Sequence, residues 1–229
     1  MSALIFTHRF EAGTSTGAAP LLLLHGTGGD ENDLLPVGRA IAPGAALLSV
    51  RGKVLENGMP RFFRRLSEGV FDEDDVRQRA GELAGFIEDA RKRYRIAVPI
   101  ALGYSNGANM AAAVLLLRPE VLSGAILLRA MVPLKTAPQV DLDGKPVLIL
   151  SGTQDPFVPA ENATRLADLL RAVHATVEHQ VVPSGHGLSN SDVTTARRWL
   201  LHTARARGPA EPGAVPEKTI GNAGNARQP

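Results

Sequence analysis

The chain has 229 residues, 44% hydrophobic and 21% charged, which suits a single globular domain with one core. It contains no cysteine, and this excludes a disulfide framework, a thiolate metal site and a cysteine nucleophile. The formal charge of +2 lies in the segment from Thr203 onward, where Arg205, Arg207, Lys218 and Arg227 outnumber Glu211 and Glu217. No basic stripe remains on the body, so nucleic acid is not an expected partner.

In chain order, Leu4–Phe10 reads as an antiparallel edge strand. Leu21–Leu24 is a short continuous apolar run, the pattern of a strand buried on both faces, and Ala45–Val50 completes a second strand. A long helix is expected where Val76, Ala80, Leu83, Ile87 and Tyr94 recur at helical steps. Acids at 72–75 precede it and bases at 91–93 end it, complementing the helix dipole. Ile96–Leu102 is another buried strand, followed by an Ala-rich, apolar helix over Asn106–Leu117 that Pro119 ends. Strands at Gly124–Leu128 and Val147–Leu150, a helix over Pro159–Val173 and a strand at Thr176–Val182 follow. A last helix starts at Ser189, where Ser189-Asn190-Ser191-Asp192 reads as a capping box, and runs to about Ala204.

Alternating strands and helices predict an α/β fold with a doubly wound, mostly parallel sheet in one domain, 1–204. Residues 205–229 change to an aperiodic Gly/Pro/Ala-rich composition and are expected to be a disordered tail. No run approaches the roughly 20 apolar residues of a membrane span. The N-terminal residues lack a basic segment followed by an apolar stretch, so no signal peptide is read and a cytoplasmic location is expected.

The strongest chemical signal is Gly103-Tyr104-Ser105-Asn106-Gly107. A buried strand enters it and a buried helix leaves it, the context of a G-x-S-x-G nucleophile elbow. A serine hydroxyl needs a base to take its proton. With the order serine, acid, histidine, the possible bases are His174, His179, His186 and His202. His174 ends a helix, His179 lies in a strand and His202 in a helix. His186 alone lies in a glycine-flanked loop after a strand, Ser184-Gly185-His186-Gly187.

The base needs a carboxylate to fix its tautomer. Asp155 follows the strand Val147–Leu150 and precedes a helix, at the same sheet edge, whereas Asp141 and Asp143 precede that strand. An oxyanion would need backbone donors, expected from Asn106 and, in the loop His25-Gly26-Thr27-Gly28-Gly29, from Thr27. His25 itself is expected to pack and hydrogen-bond within that loop.

The segment Arg51–Phe71 joins a central strand to the first long helix and is the expected cover of a pocket. Met59, Phe62 and Phe63 either line an acyl or aryl site there or anchor the segment to the core. Met131 and Phe157, each after a strand, are further candidate wall positions.

With these residues in place, the sequence resembles the phospholipase/carboxylesterase family of small α/β hydrolases, which includes acyl-protein thioesterases. The matching pieces are Leu22-Leu23-Leu24-His25-Gly26-Thr27-Gly28-Gly29, Gly103-Tyr104-Ser105-Asn106-Gly107, Gly152-Thr153-Gln154-Asp155-Pro156-Phe157-Val158-Pro159 and Gly185-His186-Gly187. The bacterial carboxylesterase branch is especially similar, through Arg51-Gly52-Lys53-Val54-Leu55-Glu56-Asn57-Gly58-Met59-Pro60-Arg61-Phe62-Phe63.

The resemblance implies an α/β-hydrolase fold and a carboxylesterase with Ser105, Asp155 and His186 as its triad, without metal or organic cofactor. The expected partner is a small-molecule ester, and assembly, if any, would be as a homodimer. An ester with a small or medium acyl group is expected. A thioesterase or lysophospholipase of the same family is the nearest alternative, and a catalytically silent binding module the alternative of another class. One departure is Asn106-Gly107-Ala108, where many relatives carry Gln-Gly-Gly; a backbone donor survives that change.

Overall fold

A computed structural model describes residues 4–136 and 138–206. Its main sheet is built from β1 (His8–Glu11), β2 (Leu21–Leu24), β3 (Leu47–Val50), β8 (Ile100–Tyr104), β9 (Gly124–Leu128), β10 (Pro146–Gly152) and β11 (Thr176–Val182). These seven strands lie in the order β1-β3-β2-β8-β9-β10-β11, with β1 antiparallel to β3 and every other neighbour parallel. The order reverses beside β2 and β8, so helices are laid down on both faces.

Alternating strand positions sort the core into two layers. Leu22, Leu24, Ala101, Leu127 and Ile149 face one side, packed with helices α2 (Glu73–Tyr94), α3 (Asn106–Leu117) and α4 (Ala160–Ala172). Leu21, Leu23, Leu102, Ile126 and Leu148 face the other, against α1 (Leu35–Ile41) and α5 (Asn190–Ala206). All four leucines of β2 are fully buried, each contributing about 1.5–3 kcal/mol of hydrophobic stabilisation.

Helix ends follow their sequence cues. Asp72 caps α2 by accepting the Asp75 N–H at 3.2 Å, and Arg95 closes it with φ 54°. The Ile96 N–H still bonds back to Arg91 at 3.2 Å, and Pro99 has no N–H. The expected strand from Ile96 therefore begins only at Ile100. At α5 the box closes both ways: the Ser189 N–H donates to Asp192 Oδ2 at 2.8 Å and the Asp192 N–H to Ser189 Oγ at 3.4 Å. That helix runs to Ala206, two residues beyond the expected boundary, and residues 207–229 of the expected tail lie outside the described residues.

The expected strand Leu4–Phe10 is shifted to His8–Glu11, and Ala45–Val50 shortens to Leu47–Val50. Two features went unread in the sequence. The two-turn helix α1 is too short for a periodic signal, although Pro36 at its start is a recognised cue. The Arg51–Phe71 segment, read as one loop, holds two small hairpins: β4 (Val54–Glu56) with β5 (Met59–Arg61), and β6 (Arg65–Ser67) with β7 (Val70–Phe71). Strands of two or three residues leave almost no alternation to read. Among the described residues no helix is long and apolar enough to cross a membrane.

Candidate active site

Ser105 sits at the turn from β8 into α3 with φ 51° and ψ −115°, a left-handed backbone that L-residues adopt only at a cost. Its N–H donates to Leu128 O at 2.8 Å, and its carbonyl accepts the Asn109 N–H at 3.0 Å. The flanking glycines allow the turn: a Cβ on Gly103 would lie 2.6 Å from Ala108 Cα, and one on Gly107 would run into the carbonyls of Leu24 and His25. The helix can therefore start directly against the end of β2.

Three predicted residues meet across this edge. Ser105 Oγ lies 3.0 Å from His186 Nε2, and His186 Nδ1 lies 2.9 Å from Asp155 Oδ2 and 3.1 Å from Oδ1. The Asp155 side chain is 1% exposed and that of His186 20%. Asp155 Oδ1 also accepts the N–H groups of Phe157 at 2.9 Å and Val158 at 3.1 Å, which lock the carboxylate toward the imidazole. The rings of Tyr104 and Phe157 flank His186 at 5.5 Å and 5.1 Å, and the Tyr104 hydroxyl donates to the His186 carbonyl at 3.2 Å.

The other candidate bases lie away from Ser105, His202 exposed on α5. His174 meets Asp141 at 3.1 Å on the surface, and His179 pairs with Ser151 Oγ at 2.9 Å. His25 is buried; its Nε2 accepts the Gly52 N–H at 3.0 Å, so its proton is assigned to Nδ1, which donates to Gly26 O at 2.6 Å. Burial pushes the His25 pKa below its ordinary value, holding the ring neutral as a brace for the Gly-rich loop.

The cover segment is stitched to both candidate oxyanion donors. Arg61 Nη1 donates to Thr27 Oγ1 at 2.9 Å, the Gly28 N–H to Pro60 O at 3.0 Å, and the Phe62 N–H to Asn106 Oδ1 at 2.7 Å. Thr27 and Asn106 line the same cavity as Ser105 and His186. As the first residue of α3, Asn106 has no intrahelical acceptor for its N–H.

That cavity has a volume of about 290 Å³ and is walled also by Arg61, Arg65, Phe71, Asn109, Met131, Phe157 and Val158. Met131 and Phe157 thus lie where the sequence suggested. Phe62 and Phe63 do not: they are 3% and 0% exposed, packed in the core against His25 and Phe71 respectively. Met59 lies near Gly28, 41% exposed and off the cavity. Aromatic side chains on a short hairpin segment bury more area beneath it than beside an open pocket, so these phenylalanines anchor the cover.

Arg129 is a functional residue that the sequence alone does not single out. Its side chain is fully buried, with φ 57°. It donates to Gly185 O at 3.0 Å, Ser184 Oγ at 2.7 Å and Leu150 O at 3.1 Å, holding the loop that carries His186. The available signal was a lone arginine ending the apolar strand Gly124–Leu128, paired with the acid of the capping box, Asp192. Among the described residues no group of three or more His, Asp or Glu is arranged to hold a metal ion.

A doubly covered, mostly parallel sheet with serine, acid and histidine in that chain order, on loops after its strands at one edge, defines an α/β hydrolase. Within that class the chain belongs to the phospholipase/carboxylesterase family, whose model matches residues 8–203. It is 48% identical over 194 residues to the putative hydrolase MhqD of Bacillus subtilis (strain 168), covering 84% of this chain and 96% of that protein. Among solved structures it is similar to the Bacillus cereus carboxylesterase, with 44% identity and a TM-score of 0.84 over 87% of this chain and 95% of that one. The Mesorhizobium loti carboxylesterase is 33% identical, with a TM-score of 0.83 over 88% and 97% of the two chains.

Proposed function

We propose that this hydrolase is a serine carboxylesterase acting on small to medium carboxylic esters. The observation that carries the reading is the unbroken chain Ser105 Oγ–His186 Nε2 at 3.0 Å and His186 Nδ1–Asp155 Oδ2 at 2.9 Å, opening into one cavity. The Ser105 hydroxyl donates to Nε2 and the Nδ1–H to Asp155. As Oγ attacks the ester carbonyl, its proton passes to Nε2, and Asp155 stabilises the imidazolium without taking the proton. The N–H groups of Thr27 and Asn106 are the donors assigned to the oxyanion, beside the N-terminus of α3. The intermediate collapses as the alcohol leaves with the proton from Nε2. Water then repeats the cycle on the acyl-enzyme, giving its proton to His186 and releasing the acid and free Ser105.

The size of the cavity supports the substrate range. A volume of about 290 Å³ is at the lower end of ligand pockets, roughly 300–1,000 Å³. Its polar wall of Arg61, Arg65 and Asn109 suits a compact, polar ester better than a long alkyl chain.

The test is covalent labelling by a fluorophosphonate, followed by hydrolysis of p-nitrophenyl esters of graded acyl length. The expected outcome is labelling at Ser105, highest kcat/KM on short acyl groups, and a loss of several orders of magnitude in Ser105→Ala. Unlabelled, inactive wild-type protein would instead indicate a binding module. Equal turnover of long and short chains would overturn the size range, and faster turnover of matched thioesters would make it a thioesterase.

A further inference from the structure

The cover presents an unusual charge arrangement to the cavity. Arg61 Nη1 donates to Glu56 Oε2 at 3.0 Å, and Arg65 Nε donates to Glu56 Oε1 at 2.9 Å. One carboxylate therefore serves two guanidiniums. Arg65 also pairs with Glu68, which lines the same cavity, so the four groups balance in charge, although the Glu68 side chain is 66% exposed and far better hydrated than that of Arg61. Of the other charged groups at the cavity, Arg129 is matched by Asp192, and the Asp155 carboxylate accepts the Nδ1–H of His186.

The Arg61 side chain is only 4% exposed, so its charge is poorly hydrated, and burial pushes its pKa down. Its donors are unequally used. Nε bonds Phe63 O at 3.2 Å, and Nη1 bonds both Thr27 Oγ1 and Glu56. Nη2 has no acceptor among the described residues, and neither has Nη2 of Arg65, whose other bonds go to Glu56 and Glu68. Both arginines wall the cavity that holds Ser105. Free guanidinium donors lining a cavity match a carboxylate in charge and planar geometry.

We infer that the preferred substrates are esters bearing a second, free carboxylate, which Arg61 and Arg65 receive through their unused Nη2 groups. This rests on Ser105 being the esterase nucleophile and names the substrate class of that site.

Two matched pairs place the charge on either side of the ester. Monomethyl glutarate against methyl pentanoate carries it on the acyl side, and 3-acetoxybenzoate against phenyl acetate on the alcohol side. The charged member of at least one pair should have a kcat/KM about 10-fold higher, as one charge-assisted hydrogen bond provides. That ratio should collapse toward one in Arg65→Gln and in Arg61→Gln, and rise in Glu56→Gln, where the cluster of Arg61, Arg65 and Glu68 is left with a net positive charge. An opposite sign for Glu56 is not what general loosening of the cover would produce.

Calorimetric titration of glutarate into Ser105→Ala protein separates this inference from the esterase reading. Glutarate binding that is lost in the Arg65→Gln background supports the subsite even if no ester is turned over. Hydrolysis with equal or lower kcat/KM for both charged esters, together with absent glutarate binding, overturns the subsite and leaves the esterase reading standing. Absent binding with no turnover overturns both.

Discussion

Arg129 and Asp192 meet through two parallel hydrogen bonds of 2.8 Å each, Nη1 to Oδ1 and Nη2 to Oδ2, with side chains 0% and 1% exposed. The same carboxylate accepts the N–H and hydroxyl of Ser189, both at 2.8 Å. The same guanidinium reaches Ser184 and Gly185. One buried pair thus ties the start of α5, the end of β9 and the loop bearing His186 into a single unit. The site depends on it because a loop flanked by glycines has little stiffness of its own.

Breaking this pair from one side leaves a buried charge alone, which costs about 3–5 kcal/mol. Arg129→Met should lose that much in urea unfolding. Replacing both partners, Arg129→Met with Asp192→Leu, should recover most of the stability, because no orphan charge remains. Turnover should not recover with it, since the Ser184 and Gly185 anchors are still gone. Equal recovery of kcat and stability in the double variant would show that Arg129 has no part in positioning His186.

The phenylalanines make a contrasting pair. Phe63 is fully buried, so Phe63→Ala should destabilise by about 3–5 kcal/mol in chemical denaturation. Phe157 is 54% exposed and edges His186 at 5.1 Å. Phe157→Ala should leave the denaturation midpoint within experimental scatter while changing the ratio of kcat/KM between short and medium acyl esters. A selectivity change from Phe63 at undiminished stability would reverse the roles assigned to them.

How far the sequence could be read follows from the range of the signals. Residues 21–24, 124–128 and 176–182 are bounded by turn residues and fell where expected, since continuous apolar runs and their stops are local patterns. Ser105, Asp155 and His186 could be singled out because each follows a strand, and parallel strands place such loops on one edge. Phe62 and Phe63 could not be assigned to pocket or core, because that depends on which way the β5 end turns beneath the cover. Arg129–Asp192 spans 63 residues, and no local pattern announces a partner at that distance.

Burial of two histidines predicts a definite pH response. His25 and His179 both have pKa values lowered by burial from 6.5. Above pH 6.5 they are neutral in folded and unfolded chains alike and contribute nothing. Below it the unfolded chain takes up protons first, so stability should fall with pH until the folded-state pKa values are passed. Glu31 and Glu56, lowered by hydrogen bonds to Arg51 and Arg65 respectively, lose their contributions only as pH falls below about 4.5. Urea unfolding between pH 4.5 and 8 should therefore give a plateau above about 6.5 and a decline beneath it. Stability that increases on acidification from 6.5 to 5 would contradict the burial of these rings.

Gly107 should tolerate no side chain. Its added Cβ would meet backbone carbonyls of Leu24 and His25, which no rotamer change can move aside. Gly107→Ala must therefore push α3 away from the end of β2, separating Asn106 from Thr27, the two cavity-lining residues proposed as oxyanion donors. The two effects are measurable apart. The denaturation midpoint should drop, by about 1–3 kcal/mol for an overpacked contact. In whatever fraction stays folded, kcat should fall more than KM rises, because oxyanion donors act mainly in the transition state. Gly81→Ala is the control, since open space surrounds it and it lies on α2. It should leave kcat unchanged and stabilise the helix slightly, by about 0.5–1 kcal/mol. A Gly107→Ala protein with wild-type kcat would mean that the helix-to-strand contact does not set the geometry around Ser105.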